Sequence, residues 1–135
     1  MTEHKHTRNT HTICIWQQNL NKSLDAQSHF LHTLRPDEFD VVLIQEPYMD
    51  HLTLTRATTH WSVVYPSRHH DRKEHICSVM LVNTRIPTNS WEIIHVESSD
   101  ITTIRLQTLQ GPLYIFNVYN AQEHQCTIQL LSRRL

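Results

Sequence analysis

Apolar positions along this chain fall into short runs between polar stretches, and the spacing within each run separates strand from helix. Val41-Val42-Leu43-Ile44 is an unbroken, mostly β-branched run, the pattern of a strand buried on both faces. It ends in Gln45-Glu46-Pro47-Tyr48. Pro47 has no N–H to give a ladder, so it stops the strand and leaves Glu46 at the rim. Upstream, Thr12 to Asn19 reads as a first strand that runs into the polar end Gln17-Gln18-Asn19-Leu20-Asn21. Between the two, Leu24, Phe30, Leu31 and Leu34 put apolar groups mostly on one face of a short helix behind Ser23, a suitable N-cap. Arg35-Pro36 ends that helix. Strand, helix and strand within about 30 residues predict a βαβ unit whose two strands run parallel.

After Tyr48 the character changes. Met49 to His60 is a polar, threonine-rich connector, Trp61 to Tyr65 a strand stopped by Pro66, and Ser67 to His75 a histidine-rich loop carrying Arg68, Arg72 and Lys73. Ile76–Val82, Trp91–Val96, Ile101–Gln107 and Leu113–Tyr119 are strand-length runs, and Gln110-Gly111-Pro112 predicts a hairpin turn between the last two. Short strands following one βαβ unit predict a mixed sheet with antiparallel additions. Residues 1–11 are polar and read as a disordered leader; residues 12–135 read as one domain. Gly111 is the only glycine, which excludes both a GxGxxG dinucleotide loop and a Walker phosphate loop.

Composition narrows the classes further. A chain of 135 residues with 39% hydrophobic content has room for one modest core. No apolar run is long enough to span a bilayer, and the start of the chain lacks the apolar core of a secretory signal, so an intracellular protein without a membrane partner is expected. Cys14, Cys77 and Cys126 show no CxxC spacing and read as reduced residues, the first two inside predicted strands. A formal net charge of −1 gives no bulk attraction for nucleic acid. Two histidine clusters (His4, His6 and His11; His69, His70 and His75) match no ligand scaffold such as HExxH and read as surface groups. Arg68, Arg72 and Lys73 are diluted by Asp71 and Glu74; they read as a solvated loop, with phosphate-backbone contact as the alternative.

The chemistry concentrates at two neighbouring strand ends, one offering the amides of Gln17, Gln18, Asn19 and Asn21 and the other the carboxylate of Glu46. Such a pair suits magnesium and phosphate, since Mg²⁺ keeps waters and takes one or two carboxylates plus substrate oxygens. Bland readings stand beside this one. Glu46 could be a solvated surface acid, Asn19 and Asn21 turn residues bonding their own backbone, and Tyr119 a half-buried strand aromatic. Asp100, after Ser98-Ser99, reads as a turn acid.

The spacing of Asn19-Leu20-Asn21, Gln45-Glu46, Ser78-Val79-Met80-Leu81-Val82 and Asn117-Val118-Tyr119-Asn120 resembles the endonuclease/exonuclease/phosphatase superfamily. Within it, the chain is most similar to the apurinic-type endonuclease domains of non-LTR retrotransposons, on Asn19 to Gln27, Val41 to Tyr48 and Ile115 to Asn120. The likeness runs from Thr12 to Gln122 and covers the first part of the family domain. It implies a four-layer α/β sandwich of two packed sheets flanked by helices, here in part. It also implies Mg²⁺-dependent cleavage (Mn²⁺ as a substitute) of a DNA phosphodiester, and a nuclear setting. Carried over by position, Glu46 is the metal ligand with Asn21 beside the metal. Asn19 bonds the scissile phosphate or the metal-ligand network, Tyr119 contacts the phosphate, and Asn117 supports that strand end.

The chain also departs from the family pattern. The family places G-D-F-N-like and S-D-H-like motifs after the tyrosine strand, and neither occurs here. No Asp follows Asp100, and His124 follows no Ser-Asp pair. Those motifs supply the groups that orient and deprotonate the attacking water. The sequence therefore reads as a truncated endonuclease-like domain. Its alternatives are a non-catalytic remnant or binding module, and a half-domain that needs a complementing C-terminal half.

Overall fold

The structure, a computed structural model, describes residues 12–52, 54–67 and 76–119. Helix α1 (Leu24–Thr33) starts where Ser23 turns to extended backbone and its hydroxyl accepts the Ala26 N–H, satisfying a donor that a first helical turn leaves open. It stops at Leu34, whose backbone is again extended and whose N–H returns to Phe30 O. Strands β1 (Ile15–Asn19) and β2 (Val41–Gln45) flank the helix and pair in parallel, Ile15 opposite Val41 and Asn19 opposite Gln45. This is the βαβ unit that the apolar spacing predicts.

Strands β3 (Trp61–Val64) and β4 (Ser78–Asn83) extend this sheet to the order β1-β2-β4-β3, with β4 antiparallel to both neighbours. Strands β5 (Trp91–Ile93), β6 (Ile101–Thr108) and β7 (Gly111–Val118) make a second sheet, antiparallel and in chain order. The chain is a mixed α/β fold of two sheets and one helix, a partial α/β sandwich. Among the described residues no helix is long and apolar enough to cross a membrane.

Two cores follow from the alternation of strand side chains. Val42 and Ile44 point toward α1 and pack in a cluster with Phe30, Leu20, Val79 and Leu81. Val41 points the other way and joins Met80, Val82, Ile104 and Ile115 between the sheets, with Leu43 packed against them. Layers on both sides thus explain the unbroken apolar run of β2 and the burial of every residue of β4. The first sheet is the mixed sheet with antiparallel additions that the residue pattern predicts, and the pattern alone does not place the second. A β4 buried on both faces requires a second layer, so β5, β6 and β7 stack over the first sheet instead of extending it.

Local boundaries differ from the predicted ones. Cys14 and Cys77 form no disulfide and stand just before β1 and β4 rather than inside them. The strand from Trp91 ends at Ile93, although the Ile94 N–H still reaches Thr103 O at 2.9 Å. The hairpin turns at Leu109-Gln110; Gly111, with φ 121°, opens β7, and Pro112 lies inside that strand. A side chain is strained at that φ, which suits glycine. The leader, both histidine clusters, the basic loop, Asn120, His124 and Cys126 lie outside the described residues.

The polar connector after β2 is fastened by a buried amide. Gln27 is fully buried; its Nε2 donates to Thr55 Oγ1 at 2.7 Å and Arg56 O at 2.8 Å, and its Oε1 accepts the Tyr48 N–H at 2.9 Å. Thr55 Oγ1 donates in turn to Tyr48 O. Asp50 closes the tip, its Oδ1 accepting the N–H groups of Leu52 and Leu54 at 2.8 and 3.0 Å. These bonds, Leu54 first, hold the Asp50 carboxyl below its ordinary range.

Gln27→Leu removes the partners of the Tyr48 N–H and Arg56 C=O while keeping most of the volume. It is expected to cost about 2–4 kcal/mol in urea unfolding, at about 1–3 kcal/mol for each buried group left unsatisfied. Because the folded Asp50 titrates below its unfolded value, its contribution is present above the unfolded pKa and is lost as pH falls through the folded one. The Leu52 and Leu54 amide resonances should therefore titrate together, with a midpoint below the ordinary aspartate range.

Candidate metal and phosphate site

The candidate residues gather at one end of the sandwich, where β1, β2 and β7 finish and β4 and β6 begin. A belt of backbone hydrogen bonds sews that end together. Leu20 N–H donates to Gln45 O at 2.9 Å, Glu46 N–H to Cys77 O at 3.0 Å, Cys77 N–H to Ser99 O at 3.3 Å and Tyr119 N–H to Asp100 O at 2.9 Å. The third of these bonds crosses from the first sheet's rim to the loop entering β6.

Glu46 sits in the belt with φ 53°, and Asn21 and Lys22 in the facing turn have φ 54° and 58°. Left-handed backbone is uncommon for residues other than glycine and costs on the order of 1–3 kcal/mol where the surroundings enforce it. Here they do, because the Glu46 N–H is held by Cys77 O and its C=O accepts the Lys22 N–H at 2.7 Å. The conformation ends the strand's alternation. The carboxylate meets the β1 terminus, where Asn19 Nδ2 donates to Glu46 Oε2 at 3.3 Å. Asn19 Oδ1 accepts the Asn21 N–H at 2.9 Å, a side-chain turn that fixes which end of the amide faces the acid.

Asn19, Asn21 and Glu46 thus come together, with Asn21 joined through its backbone. Asn117 lies deeper, 1% exposed. Its Nδ2 donates to Ile44 O at 2.9 Å and Val79 O at 2.7 Å, on two strands of the opposite sheet. Tyr119, half-buried, follows β7 at the same end and is tied by its N–H to the start of β6.

For a divalent cation the donor set is one carboxylate at a partly open rim, with Asn19 oriented to support that carboxylate by an N–H. A carboxylate has about four lone-pair sites, of which Asn19 occupies one. That fits Mg²⁺, which keeps waters and takes few protein ligands. It does not build a cage. Among the described residues no group of three or more His, Cys, Asp or Glu could hold a metal on its own. A cleft of about 730 Å³ lined by Thr12, Asp40, Arg85 and Leu109 lies at the opposite end of the strands and takes no part in this rim.

Three features escaped the sequence reading. Gln27 carried the clearest signal, being a polar residue at helical spacing with Phe30 and Leu34 on the face that α1 buries. Asp100 stands in the bend before β6, as a turn acid would, but the sequence did not show that it is buried, 8% exposed, with its N–H on Ser98 Oγ at 2.9 Å. Gln45 gave no sign of its contacts, which run to a sheet some seventy residues away in the chain.

No family model matches the sequence, and no curated protein matches it. Among solved structures the chain is similar to the endonuclease domain of TRAS1, a telomere-specific non-LTR retrotransposon, with a TM-score of 0.66 and 13% identity. The superposition covers 90% of this chain and 52% of that one, so the chain spans about half the neighbour's length. The fold is nuclease-like.

Asn117→Ala removes both bonds from its amide to the Ile44 and Val79 carbonyls, which keep their partners across β2 and β4, and leaves a cavity in the core. It should lower stability by about 2–4 kcal/mol, read as a lower urea midpoint. Asn117→Asp places a carboxylate against the same two carbonyls and should cost more, as an uncompensated buried charge does.

Proposed function

We propose that this chain carries the metal- and phosphate-holding half of a Mg²⁺-dependent DNA phosphodiesterase site. One observation carries the reading. In a nuclease-like fold, Glu46 is held in a left-handed conformation at the strand ends, with its carboxylate hydrogen-bonded to Asn19. Strained backbone enforced from both sides is a recurrent property of functional positions.

In this reading Glu46 and waters would hold a Mg²⁺ ion, which would supply positive charge beside the phosphate and the leaving oxygen. The protein groups have separate tasks. Glu46 supplies the anionic oxygen. Asn19, locked by the Asn21 N–H, keeps that carboxylate in one orientation. Asn21 lies beside it on the facing turn. Tyr119 stands on the second sheet's side of the rim as the phosphate contact, with Asn117 beneath it keeping the strand end in place. The water-activating base is not evident in the sequence, where no Asp follows Asp100. A complementing segment supplies it in this reading.

A second reading is a module that binds metal and nucleic acid without cutting. The donor set favours it, because a lone carboxylate braced by amides holds an ion without providing a proton acceptor for water.

Binding of a fluorescent DNA duplex, followed by anisotropy with and without Mg²⁺, tests both readings beside plasmid nicking. Mg²⁺ is expected to strengthen binding, and Glu46→Gln to abolish that gain while leaving the metal-free affinity within about twofold, since the new amide keeps the shape and removes the charge. Nicking that needs Mg²⁺ and disappears in Glu46→Gln would show that these 135 residues suffice for the whole reaction. Binding without nicking supports the module. Binding indifferent to both Mg²⁺ and Glu46 would overturn the metal site.

A further inference from the structure

Three carboxamides form a directed chain from the exposed edge of the first sheet into the core between the sheets. Gln17 Nε2 donates to Gln45 Oε1 at 2.9 Å. Gln45 Nε2 donates to Asn117 Oδ1 at 3.3 Å and to Val118 O at 3.1 Å. Asn117 Nδ2 donates to Ile44 O and Val79 O. The direction is dictated by the backbone. Two carbonyls force the Asn117 nitrogen inward, which turns its oxygen toward Gln45. That oxygen and Val118 O together force the Gln45 nitrogen toward β7, leaving its oxygen for Gln17. Val118 O is open to Gln45 because the next residue, Tyr119, makes the bond to β6, and alternate residues of an antiparallel strand face opposite sides.

Gln45 therefore touches three strands in two sheets, β1, β2 and β7, and it is covalently next to Glu46. Its own C=O accepts the Leu20 N–H, the residue after Asn19. From this geometry we infer that Gln45 is a positioning residue. Its amide sets the distance between the Glu46–Asn19 rim of one sheet and the Tyr119 end of the other, and so fixes where a cation and the phosphate it holds can lie. The inference rests on the metal reading of Glu46 proposed above.

Mn²⁺ affinity, measured by the electron spin resonance of free ion on protein shown to be folded by circular dichroism, tests this. Gln45→Met keeps length and volume but has no donor, and it should weaken Mn²⁺ at least tenfold. Gln17→Leu, at an exposed position, releases only the outer link. It should weaken binding two- to threefold and serves if Gln45→Met does not fold. Ser78→Ala removes other bonds in the same layer, Ser78 Oγ to Asn117 O at 2.9 Å and to Thr102 Oγ1 at 3.0 Å. It should lower stability without moving the Mn²⁺ constant. Wild-type-like affinity in both Gln45→Met and Gln17→Leu, or an equal loss in Ser78→Ala, would overturn the role of Gln45 and leave the metal site standing. Absence of saturable Mn²⁺ binding in the unsubstituted protein would sink the metal site, and the role of Gln45 with it.

Discussion

Both hydrogens of the Asn117 amide are spent on carbonyls of the facing sheet, one on β2 and one on β4. Apart from Ser78 and Thr102 the inter-sheet core is apolar, built from Val41, Val64, Met80, Val82, Ile104 and Ile115, and apolar packing alone allows sheets to slide. A fully satisfied buried polar contact has one geometry and is costly to break. It fixes the register between layers at the end of the sandwich where the candidate residues stand. What this clamp holds still is the rim two residues beyond it, at Glu46 and Tyr119.

That rim shows how local backbone converts a strand end into a site. A strand that ended normally after Gln45 would carry its next side chain onward in alternation. The two-sided hold on Glu46, from Cys77 and Lys22, instead selects the left-handed well and presents the carboxylate to Asn19. The strain is borne by a belt of backbone bonds that also joins the two sheets. The stability of the fold and the geometry of the site therefore depend on the same few bonds, and a weakened belt would affect both.

Much of the first sheet was legible in the sequence because its signals are local. Val41 to Ile44 is a continuous apolar run, Ser23 precedes a helical period, and Pro47 is a hard stop. Each acts within a few residues. The second sheet was less legible. Whether β5, β6 and β7 extend β3 or stack over β4 depends on which faces are already covered, and a strand's own sequence does not carry that. The same limit applies to the site. Glu46 at a strand end could be read from Pro47, but the partners of Gln45, Asn117 and Gln27 lie far along the chain, and an amide carries no pattern that announces its partner. The turn at Leu109-Gln110 shows the reverse case, where a glycine and a proline marked the neighbourhood and missed the turn by one residue.

The proposed site stands or falls on a divalent cation at the Glu46–Asn19 rim. Line broadening of amide resonances by substoichiometric Mn²⁺ tests it without any turnover. A cation there should broaden resonances centred on Asn19 to Lys22 and on Glu46, reaching Cys77 and fading along β2 toward Val41. Broadening centred elsewhere, for instance at Asp40 and Arg85 beside the opposite cleft, or none at a concentration that saturates a weak site, would contradict it.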